Sequence, residues 1–144
     1  MAAKSFHRTI IGPAVAVDCG LFSIIDGKLH VLLVQIGSGQ YDGKWALPGG
    51  LVAENEGLDD AARRALSVKA NVRDIYLEQL YTFGDPERDK RGHVITVGYF
   101  SIISDQSKIK PETAAHYSDI RWFPVEVLPR TAFDHKTIIE YAVK

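Results

Sequence analysis

Between residues 49 and 69 the chain gathers side chains and backbone that could do chemistry. Gly49 and Gly50 follow a polar, glycine-rich loop over residues 37–44 and precede an amphipathic helix. Bare glycine backbone ahead of a helix lets peptide N–H groups come close to a phosphate. Four carboxylates follow, Glu54, Glu56, Asp59 and Asp60, and then the cations Arg63, Arg64 and Lys69. Glu56, with Glu54 and Asp60 beside it, is the candidate for catalytic or metal-binding work, although carboxylates held partly by a loop make a poor octahedral site. Residues spaced i, i+3 and i+4 share one helical face. On the face through positions 65, 68 and 69 stand Ala65, Val68 and Lys69, which offer no oxygen and one positive charge. A divalent cation is expected to bind that face weakly.

The elements that must position these groups follow from hydrophobic spacing. Residues 14–25 and 28–35 are apolar strands joined by Asp26-Gly27, a pair that predicts a two-residue hairpin turn because both positions must reach positive φ. Their nearly unbroken apolar runs suit a sheet covered on both faces. Leu58, Ala61, Ala62, Ala65 and Leu66 form a 3.6-residue stripe that predicts a helix over 57–70. Asp59 with Arg63, and Asp60 with Arg64, are expected as i, i+4 pairs on it. Two longer strands are expected over 72–83 and 93–103. The loop between them, 84–92, holds three acids and three bases that would cancel in a solvated hairpin loop. A polar connection over 104–117, a short strand at 119–123 and a C-terminal helix carrying Ile138, Ile139 and Ala142 complete the order, with Asp134 placed to cap that helix. His30 and Trp122 read as packing residues rather than ligands.

A chain of 144 residues suits one domain with its own core. Seventeen Lys and Arg against 18 Asp and Glu give a net charge of −1, so no global basic field invites nucleic acid. The single cysteine, Cys19, lies in an apolar stretch as a core residue, and a reducing cytoplasm is the expected compartment. Residues 1–8 contain no apolar signal-like run, and no stretch has the length of a membrane span.

The stretch from Gly50 to Val72 resembles the Nudix box, G-x5-E-x7-R-E-U-x-E-E-x-G-U, with U a bulky aliphatic residue. Gly50, Glu56 and Arg64 fill its framework, whereas Ala65, Val68 and Lys69 replace its glutamates and Asn71 its last glycine. The likeness extends over residues 14–144 and implies an α/β fold, a mixed β-sheet in an α/β/α sandwich. It also implies that family glutamates gather Mg²⁺ or Mn²⁺ against a pyrophosphate and that Arg64 orients a glutamate. Residues 77–92 resemble the same segment of Nudix domains in transcriptional regulators of NAD metabolism and their ADP-ribose-hydrolysing relatives. From that resemblance Arg88 and Arg91 become candidate phosphate contacts, since a guanidinium fork suits bidentate capture. Phe133, Asp134 and His135, entering the final helix, become candidates for facing the nucleobase. In those regulators a winged-helix DNA-binding domain follows, and this chain is expected to lack it.

Three readings stay open. The first, adopted here, is a domain that binds ADP-ribose or a related nucleoside diphosphate derivative with little or no hydrolysis and no metal required for binding, Lys69 standing in for the metal. The second is a Mg²⁺- or Mn²⁺-dependent pyrophosphohydrolase with displaced ligands drawn from Glu54, Glu56 and Asp60 or from Asp85, Glu87 and Asp89. The third is a structural or interaction protein without a ligand. The expected partner is a nucleotide-type small molecule, with no nucleic acid bound through this chain alone and no membrane. A homodimer is compatible with each reading.

Overall fold

A computed structural model describes residues 12–112 and 117–144, so the expectation for residues 1–8 lies outside the described residues. Strand β1 (Ala14–Ile25) and strand β2 (Lys28–Ile36) form the expected hairpin, with Asp26 at φ 51° and Gly27 at φ 78°. The two strands pair only from the turn to Phe22 and Val31. Beyond that point they part. Strand β3 (Trp45–Ala46) pairs with β2, and β4 (Gly49–Leu51) pairs with β1. The cleft described below opens where β1 and β2 diverge.

Helix α1 (Leu58–Ala70) begins one residue after its expected start and is followed by β5 (Glu78–Phe83) and β6 (Val94–Ile103). Strand β6 runs parallel to β1 along most of its length, and β5 pairs with β6 at the sheet's edge. Strand β7 (Tyr117–Pro124) lies along the other side of β2, and helix α2 (His135–Ala142) ends the fold. Side-chain alternation on the seven-stranded mixed sheet sorts the core into two layers. Val17, Cys19 and Leu21 of β1, with Val97 and Tyr99 of β6, pack under the alanines and Leu66 of α1. Phe22, Val31 and Leu33 meet Ile138 and Ile139 of α2 on the opposite face. The small side chains Ala61, Ala62 and Ala65, each nearly or fully buried, let α1 lie close to the sheet. An α/β/α sandwich results, as expected.

Several local expectations change. The i, i+4 pairs on α1 do not form, because the surrounding structure offers better partners: Arg64 turns to Glu56, Asp59 accepts from the Tyr99 hydroxyl at 2.7 Å, and Arg63 donates to the Ile75 carbonyl at 3.0 Å. Residues 72–77 are not strand. Asn71 and Asp74 adopt left-handed conformations there (φ 55° and 58°), and the Arg63 bond fixes the bend. The 84–92 loop is not simply solvated, since Arg88 and Asp89 are buried within it. Strand β7 is longer than 119–123 because its pairing with β2 continues to Tyr117. Cys19 is buried, and burial first, then the Asp18 charge, pushes its thiol up, which fits a core residue. Trp122 packs against the α1-side core, and the His30 ring meets the Lys28 carbonyl. Among the described residues no helix is long and apolar enough to cross a membrane.

Candidate ligand cleft

The parting of β1 and β2 leaves a cleft of about 660 Å³, a volume typical of small-molecule sites. Its walls come from the β1 and β2 ends, the β3–β4 segment, the 84–92 loop and the turn before α2. Gly49 is demanded by packing: a Cβ there would collide with the Val17 carbonyl and the Asp18 carboxylate. A Cβ on Gly50 would come within 2.9 Å of the Lys69 ammonium. Strand β4 therefore presents bare backbone to the cleft. Lys69 reaches over it from α1, its Nζ 5.9 Å from the Tyr117 ring centroid, and no carboxylate among the described residues pairs with it.

Glu56 is engaged elsewhere. Its two oxygens accept from Arg64 Nε at 2.7 Å and Nη2 at 2.9 Å, and Oε1 also accepts from the Ala53 N–H at 2.9 Å. The Arg64 hydrogen bonds chiefly, with the Ala53 N–H, hold its carboxyl down at about 2. Arg64 spends its remaining reach on the Leu51 carbonyl. The structure thus joins Arg64 to Glu56, the glutamate that the resemblance leaves within its reach, but neither residue lines the cleft, nor do the exposed Glu54 and Asp60.

Positions 65, 68 and 69, which share a face by spacing, point to three environments. Ala65 is buried against the sheet, Val68 is 61% exposed, and Lys69 turns to the cleft. These residues do not fit the Mg²⁺ or Mn²⁺ implied by the resemblance, because they supply no hard oxygen donor. Among the described residues, no three His, Cys, Asp or Glu side chains are grouped closely enough to hold a metal ion. Asn71 keeps the backbone shape of the glycine it replaces: at φ 55°, ψ 38° it ends α1, its N–H bonding the Ser67 carbonyl.

The cleft floor is a buried polar network. Arg88, 3% exposed at its side chain, grips Asp134 through Nη2 at 2.7 Å and Nε at 3.0 Å and the Val94 carbonyl through Nη1 at 3.2 Å. Asp134 occupies the N-cap position of α2 without capping it, since its carboxylate turns to Arg88. Arg88 and Asp134 are thus bound to one another, and only Arg88 lines the cleft. His135 Nδ1 accepts the Leu47 N–H at 2.9 Å, which leaves the ring proton on Nε2 facing Asp18. At the mouth, the Arg91 guanidinium stacks 4.9 Å from the Phe133 ring centre and binds Asp89 through Nε and Nη2. Burial pushes the Asp89 carboxyl up, but the Arg91 bonds and charge, with that of Arg88, outweigh it and the net direction is down. Phe133 is held at φ 54°, a conformation that costs a bulky residue energy, and its ring lies 4.3 Å from that of Tyr41.

Of the residues singled out from the sequence, the cleft brings together Gly49, Gly50, Lys69, Arg88, Arg91, Phe133 and His135. Asp89 joins them, while Asp85 and Glu87 stay on the exposed outer part of the loop. Sequence reasoning missed Asp18, Tyr117 and His93 in the lining and Thr96 behind it. Asp18 had a readable signal, a lone carboxylate inside an apolar strand, which must find partners if buried. Tyr117, Thr96 and His93 carried none.

A NUDIX domain model matches residues 15–142. The chain is 34% identical over 134 residues to the ADPR responsive transcriptional repressor NtrR of Acinetobacter baylyi; the match covers 90% of this chain but 53% of that protein, so the chain spans about half its length. It is 30% identical over 135 residues to the ADP-ribose pyrophosphatase of Methanocaldococcus jannaschii, covering 93% of this chain and 75% of that one. Among solved structures, the NUDIX domain of Shewanella oneidensis NrtR complexed with ADP ribose is similar at a TM-score of 0.85 and 35% identity, over 99% of this chain and 97% of that one. Shewanella oneidensis NrtR complexed with a 27mer DNA is similar at a TM-score of 0.75 and 38% identity, over 89% of this chain and 59% of that one. With its box framework, its mixed-sheet sandwich and a family match across nearly its whole length, the chain belongs to the Nudix family.

Proposed function

We propose that the cleft binds ADP-ribose or a related nucleoside diphosphate derivative, needs no metal ion to do so, and hydrolyses it little or not at all. One observation carries the reading: Lys69, at a box position, sets over the bare β4 backbone inside the cleft an ammonium that no carboxylate among the described residues pairs. A diphosphate there would meet a fixed positive charge, a role that a divalent cation otherwise fills. Hydrolysis needs an activated water, and the oxygens that would hold an activating metal are lacking at positions 65, 68 and 69 and committed to Arg64 at Glu56. The Shewanella domain solved with ADP ribose, 35% identical to this chain, supports the ligand class.

A phosphorus NMR time course with ADP-ribose and Mg²⁺ tests binding and cleavage together. Shifted diphosphate resonances that persist for hours are expected, and the same shifts without Mg²⁺. Appearance of AMP and ribose-phosphate signals would overturn the non-hydrolytic reading and favour the pyrophosphatase activity named for the Methanocaldococcus relative. Lys69→Ala is expected to weaken ADP-ribose binding about tenfold, the loss of one charge-assisted contact of ~1.4 kcal/mol. Unchanged affinity would remove Lys69 from the site.

A further inference from the structure

The cleft is cationic at Lys69, but its floor carries a carboxylate that diphosphate binding does not use. Asp18 is 7% exposed, lies opposite Gly49 in the sheet register and lines the cleft. Its Oδ2 accepts from the Thr96 hydroxyl at 2.6 Å and stands 3.7 Å from Arg88 Nη2. Its Oδ1 meets a single donor among the described residues, the His135 Nε2–H, at a long 3.3 Å. A carboxylate offers about four acceptor sites, and buried acceptors are normally filled. An underfilled oxygen in a cleft wall therefore calls for a donor on the ligand.

The chemistry of that donor follows from the surroundings. A phosphate would be repelled by the carboxylate. A metal ion would need at least three oxygen, nitrogen or sulfur ligands together, and among the described residues no three His, Cys, Asp or Glu side chains are grouped there. A cationic group would stand beside the buried Arg88 guanidinium, 3.7 Å from Oδ2, and be repelled by it, so a cationic ligand gains little. A neutral hydroxyl fits. We propose that Asp18 accepts a hydrogen bond from a ribose hydroxyl of the nucleotide, so that the cleft reads a sugar at its floor while Lys69 holds the diphosphate. This assignment rests on the nucleotide-binding reading above. It makes Asp18 a specificity-determining residue, because a ligand without the hydroxyl leaves Oδ1 with the long His135 contact alone.

Calorimetric titration of the full chain, natural and Asp18→Ala, tests this with ADP-ribose, a set of analogues each lacking one ribose hydroxyl, and an analogue with hypoxanthine in place of adenine. The natural protein is expected to bind one deoxy analogue ten- to a hundredfold more weakly than ADP-ribose, and D18A, which has no acceptor there, to bind the two alike, the signature of a direct coupling. Equal binding of every deoxy analogue by the natural protein overturns the proposal. So does the same deoxy penalty in D18A, or a penalty confined to the hypoxanthine analogue, which would assign the donor to a base amine. Should D18A not fold, the analogue series on the natural protein decides alone. Absence of any ADP-ribose binding overturns the nucleotide reading itself, whereas firm binding without a hydroxyl preference overturns only the role of Asp18.

Discussion

Arg64 holds both carboxylate oxygens of Glu56, through Nε at 2.7 Å and Nη2 at 2.9 Å, and so ties the loop before α1 to the helix itself. The pair places the charge of Glu56 in a structural role outside the cleft. Because the Glu56 carboxyl is held down from 4.5 to about 2, protonating it costs the folded state more than the unfolded one. Its contribution to stability is complete above pH 4.5 and fades as the pH falls toward 2. Denaturant unfolding of the natural protein and Glu56→Gln is expected to show a stability gap that is constant from neutral pH down to the ordinary carboxyl range and then closes on further acidification. ADP-ribose affinity of E56Q should stay within about threefold of the natural protein, the scale of substitutions away from a site. A gap that does not respond to acid would assign the effect to packing.

Arg88 is expected to matter for folding before it matters for ligand. Its guanidinium, almost wholly buried, is the counter-charge for Asp134 and the nearest cation to Asp18. Arg88→Ala would strand both carboxylates and cost about 3–5 kcal/mol. Arg88→Lys keeps the charge but loses the fork that meets both Asp134 oxygens, so a smaller loss is expected. Thermal melts rank the variants, and equal stability of R88A and the natural protein would show that the network carries no net stabilisation.

What the sequence made legible is what local spacing dictates. The stripe from Leu58 to Leu66 defined α1 within a residue, and Asp26-Gly27 required positive φ at two successive positions. The partners of polar side chains were not legible, because distant segments compete for them. Tyr99 takes Asp59 across 40 residues of chain, Thr96 reaches Asp18 across 78, and the Leu47 N–H reaches His135 across 88. Helical spacing likewise placed 65, 68 and 69 together, while the sheet beneath α1 decided that only Lys69 faces the cleft. The residues of the cleft wall carried in local motifs, Gly49, Gly50 and Lys69, could be named in advance. Asp18 and Tyr117 became neighbours of the site only through the divergence of β1 and β2.

That division predicts unequal effects of restoring glutamates. Ala65 is 1% exposed within the α1-side core, so Ala65→Glu buries a carboxylate without a partner and is expected to cost about 3 kcal/mol or more. Val68 is mostly in solvent, and Val68→Glu should change stability by no more than about 0.5 kcal/mol. Chemical denaturation of the two single variants separates these cases. Equal, small losses would mean that α1 can rise from the sheet to expose position 65.

Gly49 and Gly50 are expected to part in the same way. At Gly49 the obstacle is backbone: a Cβ would run into the Val17 carbonyl and the Asp18 main chain, neither of which can swing aside. Gly49→Ala should therefore force β4 away from β1 and destabilise the fold by several kcal/mol, on the order of other overpacked core sites. At Gly50 the neighbour is the Lys69 ammonium, the free end of a flexible side chain. Gly50→Ala should fold with nearly natural stability while displacing that ammonium from the β4 backbone. Its ADP-ribose affinity is expected to fall by an amount comparable to that of Lys69→Ala, and combining the two changes should add little beyond either one. Melting curves separate the folding effect from titrations of the ligand effect. Natural affinity in Gly50→Ala, with natural stability, would show that the ammonium reaches the diphosphate from another position.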